Sequence, residues 1–379
     1  MRFNRDDLLR TLIMVENYLI RNEKDSSKQA ISNYYSLAYL FIDAFGIEID
    51  SDIFMNVKKI KDIRFKNEIN KINNIMNFSN ENNYDLSILT NNFNSLLSDN
   101  IYNSVLANTL KTRVKMKVYS EKEFKDIIYS FFSLYGNDVL NSVKNIIDNN
   151  RVQVGTTRPI KCANAYTVCS YLTKDIYIIT SANALNTECM SLIVHELGHA
   201  LDMINIENNQ AKKYYISTPF LEVQSCYFEM AFLDYLFKNY IDRESSLFLF
   251  VEKMLDNIVT FNKYSDLLVS TADYFALDIN GKIVYCNSNT ELINNNYRDD
   301  LIYFLGYITG LNMMGISSGN EKEYMKYLNN FSSFKHEQNF IDGIKTLGID
   351  YEKYLECSLI ENIVKDSCNE YIRKYTKYI

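Results

Sequence analysis

The sequence is poor in residues that interrupt helices. Its 379 residues include only two prolines and eleven glycines. Proline removes a backbone donor and kinks a helix, and glycine weakens a helix interior. Long parts of the chain can therefore be helical. Long apolar runs are missing as well, since none approaches the roughly 18 residues of a membrane-spanning helix. We therefore expect no membrane span and no membrane partner.

The sequence also lacks a basic block, a secretory leader and paired cysteines. The formal net charge is −7, which disfavours a nucleic-acid partner. The N-terminus has neither the apolar core nor the small-residue cleavage site of a signal peptide. Seven cysteines are scattered without a C-x-x-C pair. Reduced thiols in a cytoplasmic protein are the simplest explanation, and the oligomeric state stays open.

Apolar periodicity predicts a mainly α fold with one small antiparallel β-sheet. Residues 1–118 are typical of an N-terminal helical lobe, and residues 119–379 of a second domain. The N-terminal helices could pack as a core or bind a partner, and core packing is the simpler interpretation. The only convincing strands lie between Arg151 and Ser181, where the last two are expected to form a hairpin.

One stretch, V-H-E-L-G-H-A-L-D at Val194–Asp202, carries a metal-binding pattern. His195 and His199 are four residues apart, so on a helix the second ring lies only about 40° round the axis from the first. Both rings can then face one ion, and Glu196 between them can activate a water. This spacing is the H-E-x-x-H signature of zinc peptidases. A pair of ordinary helix histidines is the alternative.

A catalytic zinc ion needs a third protein ligand and an open position for water. Glu222 is the strongest candidate, because it lies 23 residues after His199 near the start of a second predicted helix. Glu229 follows two turns later and about 20° round the axis, so both carboxylates share one face. Acids on an apolar helix are costly unless they bind something, and Glu229 is the expected partner of a histidine N–H. A solvated acidic face is the alternative, and His336 lacks local support as a ligand.

The last predicted strand runs directly into the histidine helix. In zinc peptidases an edge strand beside the metal helix commonly pairs with the substrate backbone, which gives affinity with little side-chain selectivity. Ile176, Tyr177 and Ile178 are the candidate substrate-binding residues of such an edge. A small sheet with a purely structural role is the alternative.

These motifs together resemble a known family. H-E-L-G-H-A, followed by F-L-E-V-Q-S and a second glutamate, is similar to the oligoendopeptidase F and thimet oligopeptidase family of zinc metallopeptidases. The resemblance covers roughly residues 120–315. It implies that His195, His199 and Glu222 bind one Zn²⁺ ion. It also implies a helical zincin-type fold around a substrate channel, and cleavage of peptides at internal bonds.

The resemblance extends to a tyrosine-rich segment, Y-F-L-G-Y-I-T-G at Tyr303–Gly310. The family carries Y-A-T-G at the end of this segment, so Tyr307 is implied as the donor to the oxyanion that forms during hydrolysis. Tyr303 lies one turn earlier. Tyr297 stands where the family normally has a histidine, and no histidine is present nearby. Each of these tyrosines could alternatively serve packing alone.

The expected function is therefore zinc-dependent hydrolysis of internal peptide bonds in oligopeptides. Residues 119–379 would form the catalytic domain, with Glu196 as the general base that activates a metal-bound water. The partner is a peptide, with neither nucleic acid nor membrane involved. The alternative is a peptide-binding or regulatory protein that uses a peptidase fold without turnover. The absent histidine and the short N-terminal lobe motivate that alternative.

Overall fold

The computed structural model confirms the mainly helical fold expected from the sequence. None of the described helices is long and apolar enough to cross a membrane. The structure describes residues 1–22, 28–46, 88–96, 114–157, 160, 164–170, 172–208, 220–270, 275–277, 283–285, 296–332 and 340–375.

Two compact units make up the chain, and each combines two separate segments. The first unit contains Met1–Glu68 and Lys117–Met203, and the second contains Ile69–Met116 and Ile204–Ile379. The functional division of the chain at residues 118 and 119 stays a prediction.

In the first unit, polar residues and glycines set the ends of the helices that precede the sheet. Asn4 accepts hydrogen bonds from two backbone N–H groups of the first turn of α1, and Gly46 ends α2 with a φ of +67°, as a glycine C-cap does. Ser120 and Glu123 form a capping box at α3. The bounds are α1 Arg5–Arg21, α2 Lys28–Phe45, α3 Glu121–Ser133 and α4 Asn137–Asp148.

A three-stranded sheet follows, made of β1 (Val152–Val154), β2 (Ala165–Cys169) and β3 (Ile176–Thr180). The order is β1-β3-β2. β2 and β3 form the expected antiparallel hairpin, with Ala165 opposite Thr180. β1, however, pairs parallel to β3, so the sheet is mixed rather than antiparallel.

The prediction that Ile176, Tyr177 and Ile178 form a sheet edge is wrong. They belong to β3, which is the central strand because β2 pairs along one side and β1 along part of the other. All five residues of β3 are buried. The edges of this sheet are β1 and β2, so a peptide adding to it as a further strand would meet one of those two.

The first two helices pack on this sheet in one hydrophobic cluster. Apolar side chains on α1 and α2 are buried together with Val168, Tyr177 and Ile179 of the strands. The hydroxyl groups of Thr11 and Tyr177 are hydrogen-bonded at 3.0 Å. The described part of the N-terminal segment therefore packs as core, in line with the simpler of the two interpretations.

Helix α5 (Thr187–Asn208) carries the two histidines and begins close behind the sheet. The side chain of Asn186 accepts a hydrogen bond from the backbone N–H of Cys189 at 2.9 Å. An asparagine that binds the third N–H of a helix is a strong N-cap. The start of α5 is therefore fixed eight residues before His195.

The second unit is a group of helices with one further small sheet. Its two strands, β4 and β5, pair antiparallel. They were not predicted from the sequence, where strands are expected only in residues 151–181. Residues 88–96 are helical as well. The remaining bounds are α6 Val223–Lys238, α7 Arg243–Ser270, β4 Phe275–Leu277, β5 Ile283–Tyr285, α8 Asn296–Ser317, α9 Glu321–Ser332, α10 Phe340–Thr346, α11 Tyr351–Leu355 and α12 Glu361–Tyr375.

Two glycines on α8 let α6 approach its backbone. A Cβ atom at Gly306 would lie 2.9 Å from the Cβ of Glu222, and one at Gly310 would lie 2.9 Å from the backbone nitrogen of Tyr227. Any larger residue at either position would push the two helices apart. The close contact places the start of α6, which holds the predicted acidic ligand, against the tyrosine-bearing turn of α8.

Candidate functional site

The predicted site residues fall into two groups, one in each unit. In the first unit, the imidazole centroids of His195 and His199 lie 5.1 Å apart with their planes at 78°. His195 is 7% exposed and Glu196 is 6% exposed. The helical spacing therefore brings both rings to one face of α5, as predicted, and Glu196, between them in sequence, is buried.

Thr167 of β2 holds the carboxylate of Glu196. Its hydroxyl group lies 2.7 Å from Oε2 of Glu196 and 3.1 Å from the Glu196 backbone oxygen. The sheet thus contacts the candidate general base directly. The sequence analysis missed this residue, because a threonine in a strand is ordinary and nothing in the spacing links it to α5.

The second group begins at Glu222, which occupies the N-cap position of α6. Its side chain is 8% exposed. Ser225 donates a hydrogen bond to Oε2 of Glu222 at 3.0 Å, and its hydroxyl also lies 2.9 Å from the Glu222 backbone oxygen. Burial and this hydrogen bond exclude the alternative of a solvated acidic face for Glu222.

Cys226 lies one turn after Glu222 and is fully buried. Burial raises the pKa of the Cys226 thiol well above its usual value, and the nearby charges of Glu222 and Glu229 add to the effect. The thiol is therefore protonated at neutral pH. A protonated thiol is a poor nucleophile and a poor metal ligand, so the oxygen of Glu222 is the better donor on this turn.

Glu229 is 1% exposed and bonded on both carboxylate oxygens. The ammonium group of Lys253, on α7, lies 2.6 Å from Oε1. The hydroxyl group of Tyr307, on α8, donates to Oε2 at 2.7 Å. Three helices therefore meet at this carboxylate. Within the second unit Glu229 binds a lysine and a tyrosine, and its predicted bond to a histidine N–H stays a prediction.

Lys253 was not predicted from the sequence, because it lies on another helix and no known motif relates its position to that of Glu229. The sequence does indicate that Glu229 needs a partner. A carboxylate predicted on the apolar face of a helix requires a cation or several donors, so a lysine on a neighbouring apolar helix is a candidate. Lysine can reach such a partner while its aliphatic stem packs against apolar neighbours.

The three tyrosines differ in their surroundings. Tyr307 is 7% exposed, and burial raises its pKa well above the usual value, with the charge of Glu229 as the next cause. Tyr307 therefore stays protonated, and its O–H group donates a hydrogen bond to Glu229. Tyr303 is 36% exposed. The side chain of Tyr297 lies outside the described residues, as does His336, and the catalytic roles of all three tyrosines stay predictions.

The donor chemistry of the two groups suits zinc. Two imidazoles on one helix face and a buried carboxylate are the ligand types of catalytic zinc sites that keep a position open for water. The helix spacing needed for two imidazole ligands is present at His195 and His199. The binding of a single ion by these two residues and Glu222 stays a prediction, since the two groups belong to different units.

Comparisons with known proteins identify the fold. No protein-family model matches the chain, and no curated protein matches it. A solved structure described as a candidate oligoendopeptidase F from Bacillus anthracis str. Ames matches with a TM-score of 0.51 and 11% identity, over 90% of this chain and 67% of that one. The chain shares the mainly helical fold of that protein.

Two further solved structures match less closely. A candidate peptidase from Chlamydophila abortus has a TM-score of 0.47 and 13% identity, over 97% of this chain and 62% of that one. PZ peptidase A, solved with an inhibitor, has a TM-score of 0.43 and 10% identity, over 68% of this chain and 50% of that one. The chain thus spans about three-fifths of the length of the Chlamydophila abortus protein. Membership in the oligoendopeptidase F and thimet oligopeptidase family stays a prediction.

Proposed function

We propose that this protein is a zinc-dependent endopeptidase that hydrolyses internal peptide bonds of oligopeptides. One observation carries the proposal: two histidine rings share one face of α5, and Glu196, between them in sequence, is buried with its carboxylate oriented by a hydrogen bond. Burying a carboxylate beside two imidazoles is costly in a purely structural helix. The same arrangement is what metal-assisted hydrolysis requires.

His195, His199 and Glu222 would hold the zinc ion. Bound there, zinc would lower the pKa of its water and polarise the peptide carbonyl. Ser225 orients the carboxylate of Glu222 by its hydrogen bond to Oε2, as outer partners of metal ligands commonly do.

Glu196 moves the protons of the reaction. Its carboxylate takes a proton from the attacking water and then delivers it to the nitrogen of the leaving amine. Oε2 already accepts from Thr167, so Oε1 is the oxygen that takes this proton. Tyr307, Tyr303 or Tyr297 would donate to the oxyanion, and for Tyr307 this requires that its hydroxyl group leaves Glu229.

The substrate class follows from the fold and from the sheet edge beside the base. β2 is an edge strand and carries Thr167, the residue that contacts Glu196. A peptide pairing with this edge would run beside the base, and it would be held by backbone hydrogen bonds that demand little of its sequence. We propose that the substrates are oligopeptides in the cytoplasm. The fold shared with the candidate oligoendopeptidase F from Bacillus anthracis supports this substrate class.

Glu196→Gln in the zinc-loaded full chain is the decisive test. Glutamine keeps the shape and the hydrogen-bond acceptor for Thr167 but cannot take a proton. We expect hydrolysis of a defined peptide mixture, followed by mass spectrometry, to fall by about 10²–10⁴-fold, the usual contribution of a general base. Zinc content should stay at one ion per chain. Full activity of this variant would refute the proposal, and Glu222→Gln, which removes a ligand, should lose both zinc and activity.

Peptide binding without turnover is the second candidate. It is favoured by the bond from Tyr307 to Glu229, which occupies the hydroxyl group that hydrolysis would use, and by the absent histidine near Tyr297. The same peptide mixture, incubated with and without a chelator, distinguishes the two. Chelator-sensitive cleavage supports the endopeptidase, and tight retention of uncleaved peptides supports the binding protein.

A further inference from the structure

Thr167 binds the candidate base through its side-chain hydroxyl group. Its hydroxyl group lies between two acceptors of one residue, Oε2 at 2.7 Å and the backbone oxygen at 3.1 Å. A single hydroxyl proton serves one acceptor at a time, and the charged carboxylate is the stronger. The hydrogen bond therefore runs chiefly to Oε2.

The strand that supplies this hydroxyl group is held in place along its whole length. All five residues of β2 pair with β3, and Thr167 stands at the centre, opposite Ile178. Ile178 is fully buried at 0% exposure. The anchor of the hydrogen bond is thus part of a rigid sheet rather than of a loop, which is how precise functional groups are best supported.

We propose that Thr167 is the positioning residue of Glu196. Its hydrogen bond fixes the rotamer of a long, flexible side chain and leaves Oε1 turned away as the oxygen that receives the water proton. This inference rests on the proposed peptidase function. The hydroxyl group of Thr167 touches neither substrate nor reacting atoms and acts only through Glu196, and substitution of the side chain leaves the backbone of β2 able to pair with a peptide.

A positioning role predicts a specific kinetic signature. When the side chain of the general base can change rotamer freely, it spends less time in the reactive geometry, while substrate binding is unchanged. Small displacements of reacting groups cost up to about 10²-fold in rate. We therefore expect Thr167→Val to lower kcat by about 10- to 100-fold, with KM within about twofold of wild type. Valine is branched like threonine and suits a strand, so the fold should be kept.

Rescue by the hydroxyl group alone separates positioning from packing. Thr167→Ser keeps the donor and loses the methyl group, whereas Thr167→Ala loses both. We expect kcat of the serine variant within about threefold of wild type and kcat of the alanine variant close to that of Thr167→Val. The serine and alanine variants also decide the matter if the valine variant fails to fold.

Thr157→Val is the matched control. The hydroxyl group of Thr157 also lies between two acceptors, here the backbone oxygens of Ile42 and Asp43, at 3.1 and 3.0 Å. It lies on the surface and contacts no predicted site residue in these bonds. Loss of its hydroxyl group should leave both kcat and KM unchanged, so any fall of kcat in the Thr167 variants is specific to the bond with Glu196.

All variants are assayed as zinc-loaded full chain with an internally quenched fluorescent peptide, chosen from the cleaved members of the peptide mixture. Wild-type kcat in Thr167→Val, with Glu196→Gln inactive, would overturn the inference and leave the proposed function standing. A rise of KM alone, or equal losses in the serine and alanine variants, would overturn it as well. An active Glu196→Gln would instead refute the proposed function.

Discussion

Removal of Lys253 is the sharpest test of how the second unit holds its buried acid. Lys253 and Glu229 form an ion pair at 2.6 Å, with side-chain exposures of 21% and 1%. Lys253→Met keeps the aliphatic stem and leaves the carboxylate of Glu229 buried without its cation. Breaking one side of a buried pair costs about 3–5 kcal/mol. We expect a loss of unfolding free energy in that range, reduced somewhat because Tyr307 still donates to Oε2.

The two partners should not be equivalent. Glu229→Gln leaves Lys253 unpaired, but that side chain is partly exposed and its ammonium group can turn to water. The cost should be lower, about 1.5–3 kcal/mol, the usual contribution of a hydrogen bond to a charged group. The double variant Lys253→Met with Glu229→Gln has no buried charge. Its loss should be smaller than the sum of the single losses by about 1–3 kcal/mol.

An exposed pair of the same length supplies the control. Lys365 and Glu361 also lie 2.6 Å apart, but their side chains are 46% and 50% exposed. Lys365→Met should cost only about 0.3–0.5 kcal/mol, as for helix pairs in solvent. Urea unfolding followed by far-ultraviolet circular dichroism measures all variants. If Lys253→Met costs no more than Lys365→Met, or if the double variant is simply additive, the carboxylate of Glu229 does not depend on this lysine.

Three further predictions concern packing, thiols and pH. Gly310→Ala should separate α6 from α8 and cost about 1–3 kcal/mol, and it should also reduce zinc content, measured by metal analysis. Burial raises the pKa of the Cys189 thiol to about 12, so iodoacetamide at pH 8 should alkylate the half-buried Cys169 before Cys189, as peptide mass spectrometry would show. The hydrogen bond from Lys125 lowers the pKa of Glu121. Its contribution is present above the unfolded-state pKa and lost as pH falls through the folded-state pKa, so Glu121→Gln should destabilise slightly at pH 7 and by progressively less as the pH is lowered.

Each of these has an outcome that would contradict it. An unchanged unfolding transition and zinc content in Gly310→Ala would mean that α8 tolerates a Cβ atom there. Alkylation of Cys189 at the rate of an unfolded control would mean that its surroundings open readily. If the loss of stability in Glu121→Gln persists undiminished at pH 3, it does not come from the charge of the Glu121 carboxylate.

Local features of the site could be predicted from the sequence, because they depend on neighbours along one helix. The four-residue spacing of His195 and His199 places both rings on one face whatever else the chain does. Asn186 fixes the start of α5 in the same local way. The mainly helical fold follows from periodicity and from the scarcity of proline and glycine.

Contacts between distant segments could not be predicted, and they decide most of the chemistry around the site. The three-residue strand β1 makes β3 central, and a strand that short carries almost no periodic signal. Thr167 contacts Glu196 from β2, and Lys253 contacts Glu229 from α7. A single sequence shows which acids need partners, because buried carboxylates are costly, but it does not show which residues supply them.

The alternation of the two units along the chain has a consequence for the order in which the protein can assemble during synthesis. The first unit needs Met1–Glu68 and Lys117–Met203, so it is complete once the histidine helix has emerged from the ribosome. The second unit needs Ile204–Ile379 as well as the earlier segment Ile69–Met116. Because Ile204–Ile379 is the last part of the chain to be made, the second unit cannot be completed before the first. Domains generally fold as units during synthesis, so His195 and His199 should be in place before Glu222 emerges.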